Sequence, residues 1–247
     1  MGEVIAVLSG KGGTGKTSLC AAIATALAES DKKVLCIDCD AGLGNLELFL
    51  GLQGSGALSF ADVCMGSYPL SRATRPHAFP KLSFLTAPMN LRPEDVDVAA
   101  FAGMLAEAKG KFDYILLDAP AGLGAGFSIC AESADRVILV TNPDPAAVYA
   151  AARTGQQLEL MGKTQVKLVV NRIRRKLLEA TKRTIDDVMD EAGLPLLGIV
   201  PEDENVVLAV SSDTPLLKYT RKGAAGACVR IAKRIQGISE PIDLREF

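Results

Sequence analysis

The sequence predicts an α/β protein in which a single, mostly parallel, doubly wound sheet is flanked by helices. Short apolar, β-branched runs alternate with helical stretches along the whole chain. Most of the apolar runs are unbroken by polar residues, as is typical of strands that are covered on both faces. No repeat, low-complexity tract or domain-scale linker is visible, so we expect one domain over residues 1–247 with a polar C-terminal tail over 237–247.

The strands and helices follow from this alternation. Seven runs are predicted as strands: Val4–Ser9, Val34–Asp38, Leu82–Thr86, Tyr114–Asp118, Val137–Thr141, Lys167–Asn171 and Leu196–Val200. Five stretches are predicted as helices: Thr17–Glu29, Pro93–Ala108, Ala146–Met161, Leu178–Ala192 and Ala224–Gln236. In a parallel sheet of this kind ligands bind beyond the carboxyl ends of the strands, so we examined the polar residues at those ends.

Composition limits the function further. The net charge of −2 and the isoelectric point near 5.6 imply no overall attraction to nucleic acid, which we therefore do not expect as a partner. No run approaches the ~18 apolar residues of a membrane span, and no signal peptide precedes the first strand. We expect a cytoplasmic protein.

A glycine-rich loop joins the first predicted strand to the first predicted helix. Residues 10–17 match the pattern G-x-x-x-x-G-K-[ST], in which glycines let backbone N–H groups approach phosphate closely. Lys16 is expected to reach the β- and γ-phosphates as a catalytic residue, and the Thr17 hydroxyl to bind Mg²⁺. The predicted nucleotide-binding residues of this loop are Gly10, Lys11, Gly12, Gly13, Thr14, Gly15, Lys16, Thr17 and Ser18.

A second lysine, Lys11, lies early in the same loop. It cannot easily fold back onto the phosphates of its own loop while Lys16 occupies them. We expect Lys11 to point outward, where it could reach a phosphate held by a second subunit. The alternative is an ordinary solvated loop lysine.

Carboxylates follow two of the other strands. Asp118 follows four apolar residues at the end of a predicted strand. A carboxylate at this position can help to hold Mg²⁺ beside the loop threonine, so we predict Asp118 as a metal-binding residue. Asp38 and Asp40 follow the second strand, and Asp40 is the better candidate for orienting an attacking water and for a place at the metal. A helix-capping role is the alternative for this pair.

Asn171 ends the sixth predicted strand, where its amide offers both a donor and an acceptor for an adenine edge. A turn asparagine is the alternative.

Cys36 and Cys39 form a C-x-x-C pattern, but residues three apart on a strand face opposite sides of the sheet, so we predict no metal or redox role. With His77 as the one histidine, there is little scope for a zinc site.

With these motifs in place, the chain resembles the deviant Walker A ATPases of the MinD/ParA family, and within it the MinD type. The resemblance rests on residues 11–17, on 37–46 as a first switch, on 118–122 as a second switch, and on 140–143, 170–172 and 199–203. It implies a P-loop NTPase fold of the SIMIBI type and an Mg²⁺-dependent ATPase that places the division septum. Turnover in such proteins is slow until a partner binds, and here a MinC- or MinE-like protein is implied.

The resemblance also implies a homodimer that encloses two ATP molecules. Lys11 would then cross to the phosphates of the other subunit as a catalytic residue, and Gly12 would lie where the two loops nearly touch. Asp40 would position water and Asp38 would organise the first switch. Adenine would be held by Asn171, Arg172, Pro201 and Asp203.

One feature limits this reading. MinD proteins usually end in a basic amphipathic helix that binds membrane, whereas residues 237–247 contain Pro241 and acidic residues, which leaves membrane attachment open. The location is then the cytoplasm, with the inner face of the membrane as the alternative.

Three other functions stay open. A ParA-like partitioning ATPase would bind DNA through the basic stretch at 172–183, and a MinD relative that places flagella would share the switch motifs. A metabolic ligase or iron–sulfur carrier on the same fold is the third, and Cys130 would be its candidate cluster ligand.

Overall fold

The computed structural model describes residues 1–41, 44–76 and 78–242. Its centre is one seven-stranded sheet of order β3-β2-β4-β1-β5-β6-β7, in which every pair of neighbours is parallel. The fold class and all seven predicted strands are confirmed. The strands are β1 (Glu3–Leu8), β2 (Val34–Asp38), β3 (Leu82–Leu85), β4 (Tyr114–Asp118), β5 (Arg136–Thr141), β6 (Val166–Ile173) and β7 (Leu196–Pro201).

Helices cover both faces of the sheet. They are α1 (Lys16–Glu29), α2 (Leu46–Phe49), α3 (Phe60–Cys64), α4 (Val98–Lys109), α5 (Ala125–Ser133), α6 (Pro145–Leu160), α7 (Arg175–Thr181), α8 (Ile185–Ala192), α9 (Asn205–Ser211), α10 (Leu216–Tyr219) and α11 (Gly223–Ile235). The predicted first, third and fifth helices correspond to α1, α6 and α11. The short helices α2, α3, α5, α9 and α10 were not predicted.

Two predicted helices were wrong in extent. The stretch 178–192 is two helices, because Lys182 takes the left-handed conformation (φ 53°) and ends α7. Thr184 then starts α8 with a capping box, in which its hydroxyl accepts from the Asp187 backbone N–H. The stretch 93–108 begins with a single 3-10 turn, and α4 starts only after Asp97, whose carboxylate accepts from the Ala100 N–H.

The core lies on the two sides of the sheet. One apolar layer joins α1 and α11 to the sheet, and the other contains Phe101 of α4 and Phe127 of α5. Cys36 belongs to the first layer and Cys39 to the second, so the prediction that they face opposite sides is confirmed. In the first layer α11 lies so close to β7 that a Cβ on Gly198 would fall 2.5 Å from Ile231 Cγ1.

The chain after α11 turns back along that helix. The Arg234 guanidinium donates to the carbonyl oxygens of Leu197, Glu240 and Pro241, at 3.1, 2.8 and 2.6 Å. Lys233 pairs with the Glu240 carboxylate at 2.8 Å. Part of the predicted polar tail, residues 243–247, lies outside the described residues, as does His77. None of the helices in the described part of the chain has the length and apolarity needed to cross a membrane.

Candidate functional site

The glycine loop between β1 and α1 adopts a conformation that only glycine takes without strain. Gly13 and Gly15 have φ of 80° and 84°, in the left-handed region. The loop also packs closely on α6, because a Cβ on Gly10 would lie 2.5 Å from Thr154 Oγ1. Gly12 has open space where its Cβ would be, so this position faces outward.

A buried ion pair lies under the loop. Lys16 Nζ donates to Asp118 Oδ1 at 2.6 Å, and the two side chains are only 7% and 2% exposed. Burial lowers the pKa of Lys16, but the charge and hydrogen bond of Asp118 outweigh this effect and raise it. The lysine therefore stays protonated. The Thr17 hydroxyl lies close enough to Asp118 to lower the pKa of that carboxyl, against the larger rise that burial causes, so the predicted phosphate and magnesium residues lie together.

Asp38 holds the two ends of the segment that follows β2. Its Oδ1 accepts from the Asp40 N–H and its Oδ2 from the Leu46 N–H, both at 3.0 Å. Burial, together with the nearby charge of Asp118, raises the pKa of Asp38 to about 6. Asp118 is also its register partner on β4, so the two loops leave the sheet side by side. Residues 42 and 43 of the predicted first switch lie outside the described residues.

Asp40 is the more exposed of the two carboxylates after β2. It lies close enough to Lys16 and Asp118 to affect the pKa of both. The structure thus brings all three predicted metal ligands, Thr17, Asp40 and Asp118, to one edge of the sheet. Their oxygen donors suit Mg²⁺, which prefers carboxylate and hydroxyl ligands.

Asn171 and Arg172, at the end of β6, contact the glycine loop directly. Asn171 Nδ2 donates to the Thr14 carbonyl at 2.8 Å, and Arg172 Nη1 donates to the Gly13 carbonyl at 3.0 Å. Arg172 also donates twice to Glu202 Oε1, which ties it to the loop after β7. The sequence places Asn171 near a ligand, but it gives no sign of these contacts with the loop.

A cavity of about 1270 Å³ opens beside the loop. The predicted nucleotide-binding residues that line it are Gly15, Ser18, Asn171, Arg172, Pro201 and Asp203. The Ser18 hydroxyl donates to the Gly15 carbonyl at 2.9 Å. The Asp203 carboxylate accepts from the backbone N–H of Asn205 at 2.9 Å and of Ala224 at 3.0 Å, so it holds the starts of α9 and α11.

Asp144 is a site residue that the sequence analysis missed. Lys11 Nζ lies 3.2 Å from Asp144 Oδ1, and both side chains are half exposed. The same Oδ1 caps α6 by accepting from the Ala147 N–H at 3.1 Å. Asp144 before Pro145 is a helix-start signal that could have been read from the sequence.

Two alternatives lose support from the geometry. Cys130, the candidate cluster ligand, is buried with 1% exposure, so its thiol is not available at a surface where two copies could share a cluster. In the basic stretch, Arg172 and Arg174 pair with Glu202, Arg175 with Glu179, and Arg183 with Glu191, which reduces the charge available to DNA.

The arrangement of strand, glycine loop and helix, with a buried lysine–aspartate pair beneath it, is that of the P-loop nucleotide-binding proteins. The CobQ/CobB/MinD/ParA nucleotide binding domain matches residues 5–216. The septum site-determining protein MinD of Synechocystis sp. is 34% identical over 244 residues, which cover 98% of this chain and 92% of that protein. The chain therefore belongs to the MinD family.

Solved structures agree with this assignment. The MinC:MinD cell division protein complex of Aquifex aeolicus matches with a TM-score of 0.89 and 34% identity, over 98% of both chains. The Pyrococcus horikoshii septum site-determining protein MinD, complexed with Mg-ADP, matches with a TM-score of 0.83 and 30% identity, over 95% of this chain and 96% of that one.

Proposed function

We propose that the protein is a MinD-type switch ATPase that hydrolyses ATP to ADP and phosphate and thereby controls placement of the division septum. The observation that carries the proposal is the cluster of Lys16, Thr17 and Asp118 beneath a glycine loop whose conformation suits phosphate. The relative solved with Mg-ADP supports the choice of nucleotide and metal.

Each residue of the site has a separate role in this proposal. Lys16 is charged and close enough to the loop to move from Asp118 to the phosphates when nucleotide binds. Thr17 and Asp118 supply the hydroxyl and carboxylate oxygens for Mg²⁺, with Asp40 beside them. Mg²⁺, when bound, neutralises charge that develops on the transferred phosphoryl group. Asp40 accepts the proton of the attacking water or orients that water, and Asp38 fixes the position of the segment that carries Asp40.

Dimerisation accounts for the exposed end of the loop. Lys11 is half exposed and Gly12 faces open space, so a second copy can approach this part of the loop closely. Lys11 would leave Asp144 and reach the phosphates of the other subunit. An exposed ion pair of this kind costs at most about 1 kcal/mol to break, which a phosphate contact readily offsets.

The partner and the location follow from the relatives. Because the Aquifex aeolicus MinD has been solved in complex with MinC, we propose that a MinC-like protein binds the ATP-bound dimer of this chain. The dimer would act at the inner face of the cell membrane or in the adjoining cytoplasm.

The first test separates nucleotide binding from dimerisation. Lys16→Ala should abolish MgATP binding in calorimetry. Lys11→Ala and Gly12→Val should still bind MgATP but form no ATP-dependent dimer in light scattering. Gly12→Val is well suited to this test, because open space surrounds the site and the variant should fold normally. Normal MgATP binding by Lys16→Ala would refute the proposal.

The second test concerns what the dimer binds. The full chain is sedimented with anionic vesicles, with DNA, or alone, and each mixture is tested once with ATP and once with ADP. ATP-dependent retention by vesicles supports the MinD assignment with direct membrane attachment. Salt-sensitive retention by DNA would support a partitioning ATPase instead.

A further inference from the structure

A second, smaller cavity of about 430 Å³ is lined by residues of α7 and α8, and we call it the α7–α8 notch. Its apolar lining residues are Ile173, Leu178 and Ile185, and these residues also belong to the apolar cluster that joins β6 and β7 to α8. Among the residues that line the notch, none is a predicted nucleotide-binding or metal-binding residue. The notch is therefore a separate place where another group can bind.

The notch carries an excess of positive charge. Arg175, Lys182 and Arg183 line it together with one carboxylate, that of Glu179, which accepts from Arg175 at 2.9 Å. The Lys182 side chain has no hydrogen-bond or ion-pair partner among the described residues. Arg183 donates from Nη2 to Glu191 at 2.6 Å, but its buried Nε has no acceptor within the described part of the chain. A buried N–H without an acceptor is unfavourable, so the notch favours a ligand that brings oxygen acceptors.

The chain after α11 is held on a path that leads to the same apolar cluster. Arg234 donates to the carbonyl oxygens of Leu197 and Pro241, at 3.1 and 2.6 Å. Ile242, the last residue that the structure describes, packs against the cluster that supplies the apolar floor of the notch. Residues 243–247 follow directly, and five extended residues span at most roughly 18 Å. A segment that leaves the cluster at Ile242 can therefore reach other residues of that cluster.

The sequence of this segment is complementary to the notch. Asp243 and Glu246 supply carboxylates, and Leu244 and Phe247 supply apolar side chains, with Arg245 as the one positive charge. Carboxylates are attracted to the cations that line the notch. The apolar side chains would lose their contact with water against its apolar floor.

We infer that residues 243–247 dock in the α7–α8 notch of their own chain, with Glu246 beside Lys182 and Phe247 against the apolar floor. This docking requires no nucleotide and is separate from the proposed function. It adds packing to α7, which also forms a wall of the cavity beside the glycine loop, since Leu177 and Ala180 line that cavity. A docked segment thus supports one wall of the proposed nucleotide site.

A tryptophan at position 247 tests the docking, because the chain has no tryptophan of its own. The emission maximum and the acrylamide quenching of full-length Phe247→Trp are measured without nucleotide, and the same protein unfolded in urea gives the reference for an exposed indole. The docked indole should emit at shorter wavelength and be shielded from acrylamide, since it packs on an apolar surface. Emission and quenching equal to those of the unfolded protein would overturn the inference.

A charge reversal tests whether the segment lies in the notch. In the Phe247→Trp background, Lys182→Glu should lower the ratio of docked to free segment by about two- to fivefold. Lys176→Glu is the matched control, because it makes the same charge change on α7 but does not line the notch. Adding Glu246→Lys to Lys182→Glu should restore part of the shielding. Equal effects of Lys182→Glu and Lys176→Glu, or no restoration, would show that the segment docks elsewhere.

Two further measurements keep the result unambiguous. Docking within one chain gives the same emission at all protein concentrations, whereas a blue shift that grows with concentration would place the segment in a second copy and overturn the inference. Thermal unfolding shows whether each variant is folded. If Lys182→Glu does not fold, Glu246→Lys alone decides, because it alters only the segment, and unchanged shielding in that variant would contradict the docking.

Discussion

Thr14 is an unusual residue of the glycine loop, because its hydroxyl is buried and has no hydrogen-bond partner among the described residues. A buried hydroxyl without a partner costs roughly 1–3 kcal/mol of folding free energy. Its side chain is 2% exposed, so bulk solvent does not reach the hydroxyl. The loop therefore carries an unfavourable contribution to stability in the nucleotide-free protein.

We expect Thr14→Val to raise the free energy of unfolding of the nucleotide-free protein by about 1 kcal/mol, since valine fills the same space without a polar atom. Urea denaturation measures the change. Thr25→Val is the control, because the Thr25 hydroxyl is equally buried but bonds the Ala21 and Ala22 carbonyls, each at 3.0 Å. Equal effects of the two substitutions would contradict the interpretation.

The pair of Lys16 and Asp118 predicts a second effect at the scale of residues. Lys16→Met leaves a buried carboxylate without its counter-charge, which should lower the free energy of unfolding by about 3 kcal/mol or more at pH 7.5. Adding Asp118→Asn removes that charge and should restore part of the loss. A double variant no more stable than Lys16→Met would show that burial of the carboxylate is not the cause.

At the scale of elements, the prediction failed at the end of α7, where the sequence indicated one continuous helix and the structure has two. The sequence carries no glycine at the end of α7, because Lys182 itself takes the left-handed conformation, and the capping-box spacing of Thr184 and Asp187 was the one local sign of a break. The strands were predictable because most of them are unbroken apolar runs that helices cover on both faces of the sheet. The short helices α2, α3, α9 and α10 span at most seven residues, too few for helical periodicity to identify.

Lys182→Gly should stabilise the protein by about 0.5–1 kcal/mol, because glycine adopts the left-handed conformation without the steric penalty of a side chain. Lys176→Gly, in the first turn of α7, removes the same charge and should destabilise the protein, because glycine is a poor helix former. Thermal unfolding of both variants distinguishes the conformational effect from the effect of charge. A loss of stability in Lys182→Gly would be the opposite of what the backbone predicts.

At the scale of the whole molecule, the contacts that shape the candidate site join distant parts of the chain. The glycine loop and Lys11 were predictable from local sequence alone. The loop contacts of Asn171 and Arg172 and the pairing of Lys11 with Asp144 depend on strand order, which brings the end of β6 and the start of α6 to the first loop. A single sequence does not state which strand tips become neighbours, so these contacts emerge only from the fold.

Glu29, the last residue of α1, pairs with Lys218 of α10 and with Arg221 just before α11. These ion pairs connect the N-terminal and C-terminal parts of the chain. Partial burial raises the pKa of Glu29, but the hydrogen bonds and charges of Arg221 and Lys218 outweigh this effect and hold the pKa below its usual range. A lowered carboxylate pKa contributes stability above the unfolded-state pKa, and this contribution is lost as the pH falls through the folded-state pKa.

Glu29→Gln should therefore cost about 0.5–1 kcal/mol at pH 7, and the difference from the wild type should shrink as the pH falls below the ordinary glutamate pKa and through the lowered one. Urea denaturation from pH 3 to pH 8 measures it. Glu107→Gln is the comparison, because its pair with Lys111 is about half exposed and local in sequence, so a smaller effect is expected. A difference that persists unchanged at pH 3 would rule out the ion pairs as its source.

The burial of the cysteines has a practical consequence. Five of the six thiols are buried and Cys64 is half buried, and burial raises the pKa of Cys64 to about 11 and that of Cys228 to about 12. Maleimide dyes react with the thiolate, which is scarce at such pKa values. A cysteine introduced on the exposed face of α6, at Tyr149, would then take a fluorophore while the other six stay unlabelled. Energy transfer between two labelled copies could follow dimer assembly in real time.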